Sequence, residues 1–199
     1  MKNKKWIVPG VIAGIVLVFA MSVVGGYNSL VTQRENVQRT LSNVQTQYQR
    51  RADLVPNLVS TVKGAANFEQ ETLTDVVDAR AKATSVQIDP TKATPQQLAE
   101  YQNSQGELSQ ALGRLLVVSE AYPQLQATQA FRDLQVQLEG TENRITVARK
   151  DYNDSAASYN AKIKRFPANI TAGLFNFDAF PYFQASASAQ NAPAVDFSN

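Results

Sequence analysis

Two carboxylates and two neighbouring arginines are the strongest candidates for chemistry in this chain of 199 residues. Glu139 and Glu142 lie in the second half of the chain, and Arg50 and Arg51 lie in the first half. Paired carboxylates can act as general acid and base or bind metals, but in helical di-metal sites they are accompanied by His. The chain has no His and no Cys, and arginines would satisfy the carboxylates. We therefore expect no enzyme, no cofactor and no metal site.

Arg51 lies on a long stripe of mostly apolar residues that repeats every 3.5 residues, which is the period of coiled coils. The stripe consists of Leu30, Arg34, Val37, Leu41, Val44, Tyr48, Arg51, Val55, Leu58 and Val62. A second stripe consists of Phe131, Leu134, Leu138, Thr141, Ile145, Ala148, Tyr152, Ser155, Tyr159 and Phe166. Because Pro167 disfavours the helical conformation at the residue before it, we expect the second helix to end at Phe166 and Pro167.

Two shorter helices are predicted between these long ones. One covers residues 68–84, and the other begins at Thr94, where Pro95 and Gln97 complete a capping box with proline in the first turn. Short connections at 64–67 and 122–124 favour antiparallel neighbours. The predicted fold class is all-α: an N-terminal transmembrane helix followed by an elongated antiparallel four-helix bundle with long, coiled-coil-like helices.

The antiparallel arrangement predicts which polar residues meet. If Tyr27 lies level with Phe166, Arg51 faces Glu142 and Arg50 comes within reach of Glu139. Asp53 and Arg144 would then form the rim of the same polar layer. The layer is either a ligand or partner site or a buried ion pair that fixes the register of the helices, and we favour the ion pair.

Pro56 stands inside the first stripe, although proline is the worst helix former. It has no N–H to donate to the carbonyl of Ala52, at a cost of about 3 kcal/mol. The helix could bend at Pro56, or it could restart with Asp53 as its N-cap. We prefer the bend.

The N-terminal residues predict a membrane anchor. Residues 7–24 carry no charge and would span roughly 27 Å as a helix, which is close to the hydrocarbon thickness of a bilayer. Trp6 is placed like an interfacial anchor, and lysines at positions 2, 4 and 5 predict a cytoplasmic N-terminus. Gly10 and Gly14 have the spacing of close membrane-helix contacts, although glycine is also common in such helices. A cleaved signal peptide is the alternative, which the length of the apolar run disfavours.

The last part of the chain is rich in aromatic residues, namely Phe175, Phe177, Phe180, Tyr182 and Phe183. Because the last long helix returns to the membrane side, these rings could lie at the bilayer interface. They could instead pack on the base of the bundle or on a neighbouring subunit, and packing on protein is the preferred interpretation. The net charge of +2 comes from the N-terminal lysines, so no basic face for nucleic acid is expected.

Several motifs resemble the LemA family over nearly the whole chain. They are YNSLV at 27–31, QYQRRADLVPNLVSTVKG at 47–64, FEQETL and DAR within 68–80, AYPQL at 121–125, GTENRITVARKDYN at 140–153, and FPANI and PYF within 166–183. The resemblance implies one membrane anchor followed by an elongated helical bundle, and it implies no established catalytic activity. We divide the chain into an anchor (1–26), a LemA-like bundle (27–167) and an aromatic tail (168–199).

Two hypotheses about function follow. The first is a structural or scaffolding protein that self-assembles as a homo-oligomer at the bacterial inner membrane, with lipid around residues 6–24. The second is a sensor or adaptor that binds another membrane protein, a peptide or a lipid. Long amphipathic helices and the lack of a catalytic set favour the first.

Overall fold

The computed structural model describes residues 4–64 and 68–184, with side chains from residue 9 onward. Six helices lie in these ranges, and no strand does: α1 Lys4–Lys63, α2 Gln70–Ser85, α3 Pro95–Ser119, α4 Pro123–Gln126, α5 Gln129–Lys164 and α6 Ala168–Leu174. The all-α prediction is confirmed. The short α4 between the third and fourth long segments was not predicted.

Helix α1 joins the apolar N-terminal segment to the bundle without a break. Its 60 residues correspond to about 90 Å of helix, and they include Gly25, Gly26 and Pro56. The two glycines do not interrupt it, although glycine costs helix stability. Because the helix is continuous at Pro56, it does not restart at Asp53. A bend at Pro56 stays a prediction.

Helices α1 and α5 run side by side in opposite directions. The Lys162 ammonium donates to the Ser29 hydroxyl, the Asn36 amide donates to the Ser155 hydroxyl over 3.2 Å, and Arg51 meets Glu142. In these contacts the residue numbers decrease along α5 as they increase along α1, so the two helices are antiparallel. Helices α2 and α3 form a second antiparallel pair. Two surface ion pairs, Lys82 with Glu107 and Asp75 with Arg114, join residues whose numbers increase on one helix as they decrease on the other.

The core is divided into two apolar clusters along the bundle. The cluster nearer the anchor includes Leu30, Leu41, Tyr152 and Tyr159. The distal cluster includes Leu58, Leu108, Phe131 and other residues of α1, α2, α3 and α5. Nine of the ten residues of the first stripe are buried, and Arg34 is half-buried. The first stripe was therefore a correct guide to the buried face of α1.

The second stripe predicts the buried face of α5 over most of its length, but not over its last part. Positions from Phe131 to Tyr152 are buried as predicted, but Ser155 is half-buried and Ala156 takes its place in the core. An α-helix of 3.6 residues per turn drifts away from a 3.5-residue repeat, which moves the buried face by one position. Phe166 is 80% exposed because α5 has already ended at Lys164.

Side-chain caps lie at the start of two helices, α3 and α5, and the sequence predicted the first of them. The Gln97 amide N–H donates to the Thr94 hydroxyl over 3.2 Å, and the Thr94 N–H donates to the Gln97 side chain over 3.1 Å. This capping box confirms the start of α3. At the start of α5 the Thr128 hydroxyl accepts from the Phe131 N–H.

Candidate functional site

A polar layer centred on Arg51 separates the two apolar clusters of the bundle. Arg51 occupies a core position of α1, between Tyr48 and Val55 of the stripe, and only 2% of the residue is exposed. A charge buried to this degree is strongly destabilising unless it is paired and hydrogen-bonded. The neighbouring helices therefore have to supply its partners.

Helices α3 and α5 supply these partners. Arg51 Nη1 donates to Glu142 Oε2 over 3.0 Å and to the Ser109 hydroxyl. Arg51 Nη2 donates to the backbone carbonyl of Gln105 over 2.9 Å and to Gln105 Oε1 over 2.8 Å. Its Nε is buried and has no hydrogen-bond partner. Four charge-assisted or polar bonds thus place the guanidinium between three helices.

The layer extends to α2 as well. Gln105 Nε2 donates to the carbonyl of Ala83 near the C-terminal end of α2, over 3.0 Å. Arg80 of α2 donates from Nε to the Ala52 carbonyl of α1 over 2.8 Å. Because all four long helices are bonded at the same height, a shift of any helix along its axis would break buried hydrogen bonds. The arrangement favours one register.

Two tyrosines border the layer on the anchor side. The Arg51 guanidinium lies 5.1 Å from the Tyr48 ring centre, and the Tyr48 and Tyr101 rings make an edge-to-face contact at 5.4 Å. Burial raises the pKa of the Tyr48 phenol, while Arg149 and Arg51 act in the opposite direction. Burial also raises the pKa of Tyr101, and Tyr48 adds to that effect. Both phenols are therefore neutral at ordinary pH.

The layer opens onto a groove of about 790 Å³ between α3, α5 and the tail. Arg51 and Glu142 line this groove, together with Gly106, Arg149 and Gln184. Glu142 is the partly solvated member of the ion pair, since 53% of its side chain is exposed. The groove is the place where a ligand could approach the polar layer.

The other predicted members of the layer lie outside it. Arg50, Glu139 and Arg144 are exposed, and no ion pair joins Arg50 to Glu139 in the described residues. Both side chains are exposed, and the predicted contact between Arg50 and Glu139 is not seen. Asp53 is exposed as well, and its Oδ1 accepts from Gln49 of the same helix over 2.7 Å.

Sequence reasoning missed Gln105 and Ser109. Gln105 is 5% exposed and stands four residues after Tyr101 and three before Leu108, so it fills the gap in the apolar stripe of α3. That spacing was the signal that could have identified it. Ser109 follows one turn later, where the arginine reaches it.

Two asparagines of α5, the buried Asn160 and the half-buried Asn153, hold the tail, and they too were missed. The Phe180 N–H donates to Asn160 Oδ1 over 2.9 Å, and Asn160 Nδ2 donates to the Phe180 carbonyl over 2.8 Å. Asn153 makes the same two bonds with Phe183, at 3.0 and 2.9 Å. The asparagines stand one heptad apart, so both amides face the extended tail segment and satisfy its backbone.

The tail aromatics divide into two groups. Phe177, Phe180 and Phe183 are buried in the cluster nearer the anchor, where Arg34 lies 5.9 Å from the Phe177 ring and Arg149 lies 5.1 Å from the Phe183 ring. Phe175 and Tyr182 remain about half-exposed. The tail up to residue 184 therefore packs on its own bundle.

The anchor residues are open to their surroundings. A Cβ added at Gly10 or Gly14 would meet no atom of the described chain within 4 Å. The Trp6 side chain lies outside the described side chains. Near its N-terminus, helix α1 is long and apolar enough to cross a membrane, and the residues of this apolar stretch are not buried in the protein. Pro56 is exposed on the surface of α1.

Comparison with known proteins identifies the family. The model of the LemA family matches residues 40–197. The chain belongs to the LemA family. Magnetosome protein MamQ 2 of Paramagnetospirillum magneticum is 29% identical to this LemA-family protein in an alignment of 186 positions that covers 85% of this chain and 68% of MamQ 2. Protein LemA of Metamycoplasma hominis is 27% identical over 169 residues, which are 85% of this chain and 74% of that protein.

These relatives and the apolar part of α1 fit a single-pass, membrane-associated helical protein. Within residues 4–64 and 68–184 of this LemA-family chain, no group of three or more acidic side chains is arranged to hold a metal ion. The polar layer consists of the Arg51–Glu142 ion pair, the Arg80 guanidinium, and the amide and hydroxyl groups of Gln105 and Ser109.

Proposed function

We propose that this protein is a membrane-anchored scaffold that self-assembles at the bacterial inner membrane and has no catalytic activity. The observation that carries the proposal is the continuity of α1 from the apolar segment into the core of the bundle. A helix without a flexible linker holds the bundle at a constant distance from the bilayer, as a scaffold requires. An enzyme or a tethered binding domain has no such need.

The bonding of the polar layer supports a structural role. The guanidinium nitrogens Nη1 and Nη2 of Arg51 are used by Glu142, Gln105 and Ser109, all within the chain. Such a group has little capacity left for a substrate. Its most direct effect is to fix the relative heights of the helices, which is the best-attested role of a polar group at a core position.

Self-assembly is proposed to use the anchor. Gly10 and Gly14 lie one turn apart on α1 with open space beside them, so a second copy of the helix could approach closely there. Lipid would surround the rest of the apolar segment. The lysines before it favour an N-terminus in the cytoplasm and a bundle on the other side of the membrane.

Energy transfer between labelled full-length chains in liposomes tests this proposal. We expect transfer that persists as lipid is added and that is lost in a Gly10→Leu, Gly14→Leu variant. The matched control is Val11→Leu, Ile15→Leu, which changes the same helix at the same spacing without filling the glycine face. A chain that is monomeric at every protein-to-lipid ratio would contradict the scaffold, and equal transfer in both variants would contradict the glycine contact.

A second candidate function is an adaptor that binds another membrane protein through the groove beside the polar layer. The groove is lined by charged and amide side chains, including Arg149, Glu142 and Gln184, which suit a polar peptide segment. Gly106 and Gly113 both lie on α3 with open space around them, but only Gly106 faces this groove. We expect Gly106→Trp to abolish recovery of a cross-linked membrane partner and Gly113→Trp to leave it unchanged. Equal recovery with both variants would reject the groove as the docking site.

A further inference from the structure

The turn between α5 and α6 exposes a group of apolar side chains that the bundle does not use. Phe166 and Leu174 are 80% and 64% exposed, and Ile170 and Phe175 are also exposed. Ile170 and Leu174 stand four residues apart on α6 and so share a face. Phe166 lies in the turn between α5 and α6. Burying these side chains would remove a large apolar area from water.

Three contacts place this group at the height where α1 leaves the bundle. Lys162 bonds to Ser29, and the Tyr27 and Phe175 rings lie 4.8 Å apart. A Cβ added at Gly26 would come within 3.0 Å of the Thr171 hydroxyl, so α6 packs directly on α1 at that position. The apolar segment of α1 ends at Val24, only about 3 Å further along the helix axis.

The exposed turn therefore lies close to the end of the apolar segment of α1. Apart from the half-buried Val23, the large apolar side chains from Val11 to Val24 are exposed along α1, as a lipid-facing helix requires. Two cations, Lys164 and Arg165, are exposed next to Phe166. Long basic side chains beside apolar ones are the composition of surfaces that lie in a membrane interface, where the rings and aliphatic groups enter the acyl boundary and the cations contact phosphates.

We propose that the α5–α6 turn is a lipid-binding surface on which the bundle rests. Phe166, Ile170 and Leu174 insert into the interface, and Lys164 and Arg165 contact anionic headgroups. The bundle thereby has a second attachment to the bilayer besides α1. Its tilt is fixed by two separate contacts with the same membrane. This inference rests on the membrane anchor and is independent of self-assembly.

The absence of native Cys allows single labelling positions in the full-length chain. We would introduce Phe166→Cys, Leu174→Cys or, as control, Val136→Cys, attach an environment-sensitive fluorophore, and reconstitute each variant in liposomes of phosphatidylcholine and phosphatidylglycerol. Val136 matches the two test sites in exposure, at 67%, but lies about 40 Å further down α5. A lipid carrying a quencher near its headgroup then reports contact with the bilayer.

We expect blue-shifted emission and strong quenching at positions 166 and 174, and neither at 136. Lys164→Glu with Arg165→Glu should reduce the quenching in liposomes that contain phosphatidylglycerol. Emission that is blue-shifted but insensitive to the quencher lipid would mean that a second protein copy covers the turn, and it would overturn the proposal. Equal, weak quenching at all three positions would overturn it too. Neither result contradicts the scaffold, which the energy-transfer experiment tests separately.

Discussion

Replacement of Glu142 by Gln removes the charge that faces Arg51 while keeping the shape and one hydrogen-bond acceptor. Arg51 then retains its bonds to Gln105 and Ser109 but has no counter-ion, although it is 2% exposed. In an Arg51→Met background, the same replacement leaves no buried charge without a counter-ion. The difference between the two backgrounds is the coupling free energy of the pair.

The expected size of that coupling follows from the geometry. At the observed 3.0 Å, two unit charges attract by about 1.4 kcal/mol in bulk water and by about 5.5 kcal/mol at an effective dielectric constant near 20. With 53% of the Glu142 side chain exposed, solvent screens the pair toward the lower figure. We therefore expect Glu142→Gln to destabilise the wild-type chain by about 1–2 kcal/mol, and the Arg51→Met chain by under about 0.5 kcal/mol.

Urea unfolding of the full-length chain in detergent micelles, followed by helical circular dichroism, measures all four corners of this cycle. Glu139→Gln is the matched control, because Glu139 stands one turn away on α5 and is exposed without an ion pair. It should change the free energy of unfolding by less than about 0.5 kcal/mol. A coupling indistinguishable from zero, or an equal loss for Glu139→Gln, would refute the assignment of Arg51 and Glu142 as the pair that fixes the register.

Three further outcomes are expected. Thr94→Ala removes the capping box of α3 and should destabilise the chain by about 1 kcal/mol in the same urea assay. Asn160→Ala leaves the buried Phe180 N–H and carbonyl without partners and should cost about 1–3 kcal/mol and expose the tail near residue 180 to limited proteolysis. Because burial raises the pKa of Tyr101, the unfolded chain loses this proton before the folded chain does. The stabilisation contributed by the buried, neutral Tyr101 is complete below about pH 10 and declines at higher pH. The absorbance of tyrosinate during alkaline unfolding would record this decline.

Each of these outcomes has its own control. Thr46→Ala on the exposed face of α1 should leave stability nearly unchanged. Asn169→Ala, an exposed asparagine of α6, should not alter cleavage of the tail. Tyr101→Phe should flatten the decline of stability above pH 10, and an unaltered decline would show that other groups cause it. Unchanged cleavage in Asn160→Ala would mean that aromatic burial alone holds the tail.

Local patterns in the sequence predicted much of the architecture. The first apolar stripe identified the buried face of α1, and Thr94, Pro95 and Gln97 identified the start of α3, because periodicity and capping act over a few residues. The antiparallel register also placed Arg51 opposite Glu142, the pair that the structure brings to 3.0 Å. The register could be inferred because two long stripes of similar length can align in few ways.

The sequence did not reveal which polar residues complete the site. Gln105 and Ser109 reach Arg51 from α3, and nothing near Arg51 in the chain points to them. The expected contact of Arg50 with Glu139 failed for a related reason. A side chain one position from the seam points in a direction set by the rotation of the helix, and neighbouring helices decide that rotation.

By itself, the sequence determined the all-α class, the apolar N-terminal segment, the main buried stripes and the helix start that a capping box marks. These depend on intervals of three to seven residues, which each helix imposes on its own side chains. Only the tertiary structure decided that α1 is one continuous helix, that Asn153 and Asn160 hold the tail, and that Phe177 turns inward while Phe166 stays exposed. These features depend on groups far apart in the chain, whose meeting is set by the packing of whole helices and cannot be read from local spacing.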